Sequence, residues 1–161
     1  MIRLYHGSVD RIENPDCSRG RDNLDFGKGF YTTILREHAE QWARQVAFNR
    51  QGVSLLNIYD FDNEAAVREY KYLNFPLYDE AWMDFIIDSR LGNKPWLSYD
   101  FIEGGIANDR VIDTIRLYMY GVMEKHTALK RLSEHQPNNQ ICFLSQDLVN
   151  KHLHFVESVR I

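Results

Sequence analysis

Apolar and polar residues alternate over residues 2–6, with Ile2, Leu4 and Tyr5, predicting a short strand that runs straight into Gly7 and Ser8. Residues 9–25 are rich in Asp, Asn, Arg, Pro and Gly without periodicity and read as loop. The glycine-rich stretch Phe26-Gly27-Lys28-Gly29-Phe30-Tyr31-Thr32-Thr33 then leads into a β-prone piece. From Arg36 to Asn49 the positions Ala39, Trp42, Ala43, Val46 and Ala47 fall at helical spacing, and Gly52 marks the end. Val53 to Phe61 reads as a strand, Val67 to Leu73 as a second, and Asp79 to Leu91 as a helix carrying Trp82, Phe85, Ile86 and Ile87. Gly92-Asn93-Lys94-Pro95 breaks the chain, and Tyr99 to Glu103 is extended.

Val111, Ile115, Tyr118, Met119 and Val122 form the strongest helical stripe, followed by a polar helix to Ser133. Asn139 to Leu144 is a strand, Gln146 to Lys151 a helical turn, and Leu153 to Arg160 a last strand. Short strands interleaved with helices predict one α+β domain over residues 1–161. Trp82 and Trp96 are expected in the core.

Composition changes this picture little. Hydrophobic residues make up 44% and charged residues 26%, as in ordinary globular proteins. The aromatic share of 13% is high and supplies flat surface for a core, with some to spare for a pocket. Nineteen basic against 23 acidic residues leave a net charge of −4 and no basic block, which argues against tight non-specific binding of nucleic acid. Cys17 and Cys142 match no metal or redox spacing and read as reduced thiols. His38, His126, His135, His152 and His154 lack partners at ligand spacing, although His152 and His154 would share one strand face; no metal is expected. No apolar leader or membrane-length run occurs, so a cytoplasmic location is expected.

The candidate chemistry lies in two pieces. A strand ending in His6-Gly7 sets an imidazole beside bare backbone, whose N–H and C=O can bond a flat carboxamide. The turn through Gly27 and Gly29 delivers Tyr31, a ring able to stack on a heterocycle. Each piece alone is unspecific. In this order, they are not.

With His6-Gly7, then Gly27-Lys28-Gly29-Phe30-Tyr31, then Trp42 eleven residues later, the chain resembles the ADP-ribosyltransferases, in particular their poly(ADP-ribose) polymerase-like and diphtheria-toxin-like branch. More closely it resembles a bacterial ADP-ribosyltransferase-like family in the phrases at residues 4–8, 25–33, 99–110 and 139–143. The resemblance implies two small antiparallel sheets around an NAD cleft, with flanking helices. It implies NAD as substrate, contacted by His6, Gly7, Ser8, Gly29, Tyr31, Thr32 and Trp42. Tyr31 and Trp42 would sandwich the nicotinamide, Gly7 would hold its amide, and His6 would bond the adenine-side ribose. Ala39 stands where many family members carry a serine that contacts the amide. Some relatives resemble toxins or defence proteins encoded beside a small partner protein, which would imply such an antitoxin here.

The third catalytic position of that family, usually glutamate at the start of a late strand, falls on Gln140, so the implied catalytic set is His6, Tyr31 and Gln140. A glutamine bonds a ribose hydroxyl but brings no negative charge to a developing cation. Glu103, Asp109 and Glu157 are alternative carboxylates. Asn108 reads either as the cap of the following helix or as a further cleft residue contacting NAD or the acceptor.

The first functional expectation is therefore a glycosyltransferase that cleaves nicotinamide from NAD and passes ADP-ribose to a protein, nucleic-acid or small-molecule acceptor. A non-catalytic NAD or ADP-ribose binding module is the second. An RNA 2′-phosphotransferase-like activity, using Arg3, Arg19 and Arg21 for phosphate, is the third.

Overall fold

The computed structural model describes residues 1–161 as an α+β fold with two sheets and six helices. In the first sheet β1 (Ile2–Ser8), β3 (Leu55–Phe61) and β7 (Leu153–Arg160) run antiparallel in the order β1-β3-β7. The second has the order β2-β6-β5-β4, from β2 (Phe30–Thr32), β6 (Gln140–Phe143), β5 (Phe101–Gly104) and β4 (Tyr72–Phe75). This sheet is mixed, not antiparallel as expected. β4 and β5 pair in parallel because helix α3 (Glu80–Leu91) carries the chain back between them.

Side-chain alternation along the strands builds four layers. Leu56 and Ile58 point outward from the first sheet to Ala39 of helix α1 (Arg36–Arg50). Leu4, Tyr59 and Phe61 point inward and pack with Phe30, Phe101, Ile141 and Phe143 of the second sheet. Cys142 and Ile102, of opposite parity, face the main core with Phe26, Trp82, Ile86, Val111 and Ile115. That outer layer comprises α3, α4 (Asp109–Met119) and α5 (Lys125–Ser133). Trp82 is fully buried, and Trp96 packs half-buried against this core.

Three expectations are corrected. The strand anticipated from Val67 is the end of helix α2 (Asn63–Glu69), and the strand proper begins at Tyr72. Asp62 caps that helix by accepting from the Ala65 N–H, and buried Ala66 docks it, so capping and burial outweigh the β-preference of Val67. The stripe ending at Val122 stops at Met119; Gly121 turns the chain at φ 71° and leaves Val122 exposed. His152 closes helix α6 (Gln146–His152) instead of sharing a strand face with His154, and its ring is buried beside Glu69. At the end of α1 the left-handed residue is Gln51, with Gly52 one step beyond.

Candidate cleft

The backbone ladders of the two sheets are bridged at one point. Tyr5 and Thr33 exchange both backbone bonds, at 2.9 and 3.0 Å, as an isolated antiparallel bridge. One ladder step further, the same register would pair Gly7 with Tyr31. That pair does not form, because the His6 ring intervenes and donates from Nδ1 to the Tyr31 carbonyl at 2.6 Å. Gly7 has the parity of Tyr5, so its N–H and C=O point away from β3 into the gap.

The gap opens into a groove of about 1400 Å³ that is walled by β1, β2, α1 and the loop at residues 10–25. His6, Gly7, Ser8, Gly29, Tyr31, Thr32, Trp42 and Gln140 all line it. Four separate stretches of chain are thereby brought to one place.

Each side chain has a local reason for its position. His6 packs on Phe30, ring centroids 4.6 Å apart, and burial holds its pKa below the ordinary value of 6.5. The imidazole is therefore neutral at pH 7, and donation from Nδ1 leaves Nε2 as an acceptor. Tyr31 is held by its hydroxyl, which donates to the Gly27 carbonyl (2.7 Å) and accepts from the Phe26 N–H (3.1 Å). Gly27 permits this by taking φ 90°. Burial pushes the Tyr31 phenol well above its ordinary range, so it stays protonated. Gly7 faces α1 so closely that a Cβ would lie 2.1 Å from the Ala39 carbonyl oxygen, which explains Ala39, Ala43 and Ala47 along that face. The opposite face shows Gln41, Trp42, Gln45 and Asn49 to the groove, with Trp42 49% exposed.

Gln140 is buried at the start of β6, and its Nε2 donates to the Gly105 carbonyl at 3.3 Å. Its side-chain oxygen has no such bond. Thr32 spends its hydroxyl on the Ile141 carbonyl, and Ser8 accepts from the Asp10 N–H. Asn108 is not among the residues lining the groove: it caps α4, accepting from the Val111 N–H at 3.1 Å. The alternative carboxylates also lie elsewhere. Glu103 accepts from Tyr72 and Asn139, Asp109 opens α4 and Glu157 is exposed on β7.

Sequence reasoning missed several residues in and behind the groove. Asn57, fully buried in β3, accepts from the Ile12 N–H and donates to the Asp10 carbonyl, each at 3.0 Å, pinning the loop. The hint was a carboxamide inside the apolar run Leu55–Tyr59. Five arginines line the groove. Arg11 is paired with Glu13 and Arg90 with Asp25, while Arg19, Arg21 and Arg50 have no carboxylate partner. Arg3 lies outside, paired with Asp60. No group of three His, Cys, Asp or Glu side chains is arranged to hold a metal ion. Cys17 and Cys142 are free and buried, and burial raises the Cys17 thiol to about 11. No helix is long and apolar enough to cross a membrane.

Fold and groove together define a two-sheet α+β protein with a split-sheet cleft, polar in its lining and marked by one exposed tryptophan. Within that class the chain belongs to the family described as Protein of unknown function (DUF3990), which matches residues 2–155. No curated protein and no solved structure matches it.

Proposed function

We propose that this protein is an NAD-dependent ADP-ribosyltransferase with an ADP-ribosyltransferase-like fold, and that the split between β1 and β2 is its nicotinamide site. One observation carries the reading. The open N–H and C=O of Gly7, the neutral imidazole of His6 and the rings of Tyr31 and Trp42 converge on one groove. A carboxamide is the natural complement of a strand edge offering one donor and one acceptor, and a pyridinium ring is a natural guest for aromatic faces.

In this reading Gly7 holds the nicotinamide amide, and Tyr31 and Trp42 flank the ring. His6 Nε2 accepts from a ribose hydroxyl. Arg19, Arg21 and Arg50 supply guanidinium donors for a diphosphate, in a lining that also holds Asp10 and Asp16. Gln140 presents its side-chain oxygen to the nicotinamide ribose. The glycosidic C–N bond breaks with its electron pair leaving on nicotinamide, and the anomeric carbon forms its new bond to an acceptor nucleophile. The acceptor's proton passes to solvent.

A second reading, an NAD or ADP-ribose binding module without turnover, is favoured by the engagement of Gln140 with Gly105 and by the neutrality of that carboxamide. Nicotinamide release from NAD separates the two. With cell extract supplying acceptors, wild type should release nicotinamide and His6→Ala should not. Binding of NAD without release by the wild type leaves the module.

A further inference from the structure

Asp25 and Arg90 form the best-shielded ion pair of the groove, with side-chain exposures of 12% and 31%. Asp25 Oδ1 accepts from Arg90 Nε at 3.0 Å and Nη2 at 2.6 Å, while Oδ2 accepts from the Ala107 N–H at 3.4 Å. Three segments meet there. Asp25 directly precedes Phe26 and Gly27, the two residues that hold the Tyr31 hydroxyl. Ala107 lies two residues beyond Gly105, whose carbonyl orients Gln140. Arg90 comes from the last turn of α3, which is anchored in the main core by Trp82, Phe85 and Ile86. The segment at residues 25–27, which holds the Tyr31 hydroxyl, and the segment at residues 105–107, which holds the Gln140 carboxamide, are thus tied to each other through one carboxylate and to the core through one guanidinium.

We infer that Asp25 and Arg90 are positioning residues: the β2–β6 ladder spaces the backbones of Tyr31 and Gln140, and this pair fixes the segments that hold the Tyr31 hydroxyl and the Gln140 carboxamide. The assignment rests on the transferase reading for its kinetic consequence, not for its structural one. The carboxylate is held by charge and by three donors, two guanidinium N–H groups on Oδ1 and one backbone N–H on Oδ2, which limits its angular play. Displacement of a positioned group by about 1 Å lowers turnover on the order of 100-fold without removing any substrate contact.

The test uses Asp25→Asn, Arg90→Gln and the double variant on the full chain. Nicotinamide release should lose at least tenfold in kcat in each single variant, with KM for NAD changed less than threefold. In a Gln140→Ala background the same substitutions should cost several-fold less than in the wild type, because one of the two groups they position is gone. Amide hydrogen exchange supplies a readout free of turnover. Arg90→Gln touches neither amide directly, yet Phe26 and Ala107 should both exchange at least tenfold faster while the β1–β3 ladder stays protected. Unchanged exchange at both amides overturns the assignment, as does a kcat effect that persists fully without Gln140. A wild type that releases no nicotinamide counts against the transferase reading alone, and the exchange result then decides this one.

Discussion

The His6 imidazole donates from Nδ1 to the Tyr31 carbonyl across 2.6 Å, taking the acceptor that a continued sheet would have given to the Gly7 N–H. A side chain thus replaces one rung of a β-ladder, and the two sheets part at that rung. The open edge of Gly7 and the tautomer of His6 have a single cause.

That cause sets a pH dependence. The folded state holds His6 below its ordinary pKa of 6.5, so the unfolded chain binds the proton first as pH falls. Stability contributed by neutral His6 is fully present above 6.5 and is lost progressively below it, down to the folded pKa. NAD affinity should be level from pH 8 to 6.5 and should fall only once the folded imidazole protonates, below 6.5. Calorimetric titration and thermal melts across that range check both. His6→Ala should remove both dependences.

Trp42 separates binding from stability. It stands 49% exposed on the groove face of α1, while the helix docks through Ala39, Ala43 and Ala47 on the other face. Trp42→Ala should change unfolding free energy by less than about 1 kcal/mol, as for surface positions outside caps and cores. Loss of a stacking partner costs about 0.5–1.5 kcal/mol, so NAD affinity should weaken roughly two- to tenfold. Trp42→Phe should restore most of it. Equal affinity in wild type and Trp42→Ala would remove the tryptophan from the site.

Much of this was legible in the chain, for reasons that differ by residue. Residues 2–6 read as a strand because the alternation marks the face that buries Leu4. His6-Gly7 and Tyr31 stood out through glycines that serve backbone geometry: Gly27 for its positive φ, Gly7 for its contact with α1. What the pattern missed is long-range. Val67 falls in a helix through a cap at Asp62 and a docking contact at Ala66. The parallel β4–β5 pair follows from a crossover, which local periodicity does not encode. Asn108 read two ways, and its carboxamide caps a helix. The Asp25–Arg90 pair joins residues 65 apart, a separation at which single-sequence patterns are silent.

Gly7 allows a sharp stability test. A methyl group at this position would sit 2.1 Å from the Ala39 carbonyl oxygen and 2.7 Å from the Ala43 nitrogen, both rigid backbone atoms. Gly7→Ala should therefore cost about 3 kcal/mol, the upper end for overpacking, and lower the melting temperature by about 6–12 °C. Gly121→Ala is the control, since its Cβ meets nothing within 4 Å and only the φ of 71° resists it, at about 1 kcal/mol. Thermal unfolding of the two variants should rank them in that order.

Gln140→Glu places a carboxyl where a buried carboxamide donates to the Gly105 carbonyl. No cation pairs with Gln140, so the new group is favoured in its protonated form, which alone can keep that bond. Its folded pKa then lies above the unfolded value, and the sign follows. The variant should be most stable below the unfolded glutamate pKa of about 4.3 and should lose stability as pH rises through the folded pKa. A buried acceptor left facing a carbonyl costs about 1–3 kcal/mol, so at neutral pH the variant should melt below wild type by at least a few degrees. Bound NAD changes the balance, because a ribose hydroxyl donates to the carboxylate and a developing oxocarbenium attracts it. Nicotinamide release measured beside the melts therefore distinguishes the two functional readings. Turnover raised by Gln140→Glu from a slow but active parent fits a transferase whose glutamine limits the rate. Turnover that appears only in the variant identifies the native chain as a binding module, with the glutamine as the reason.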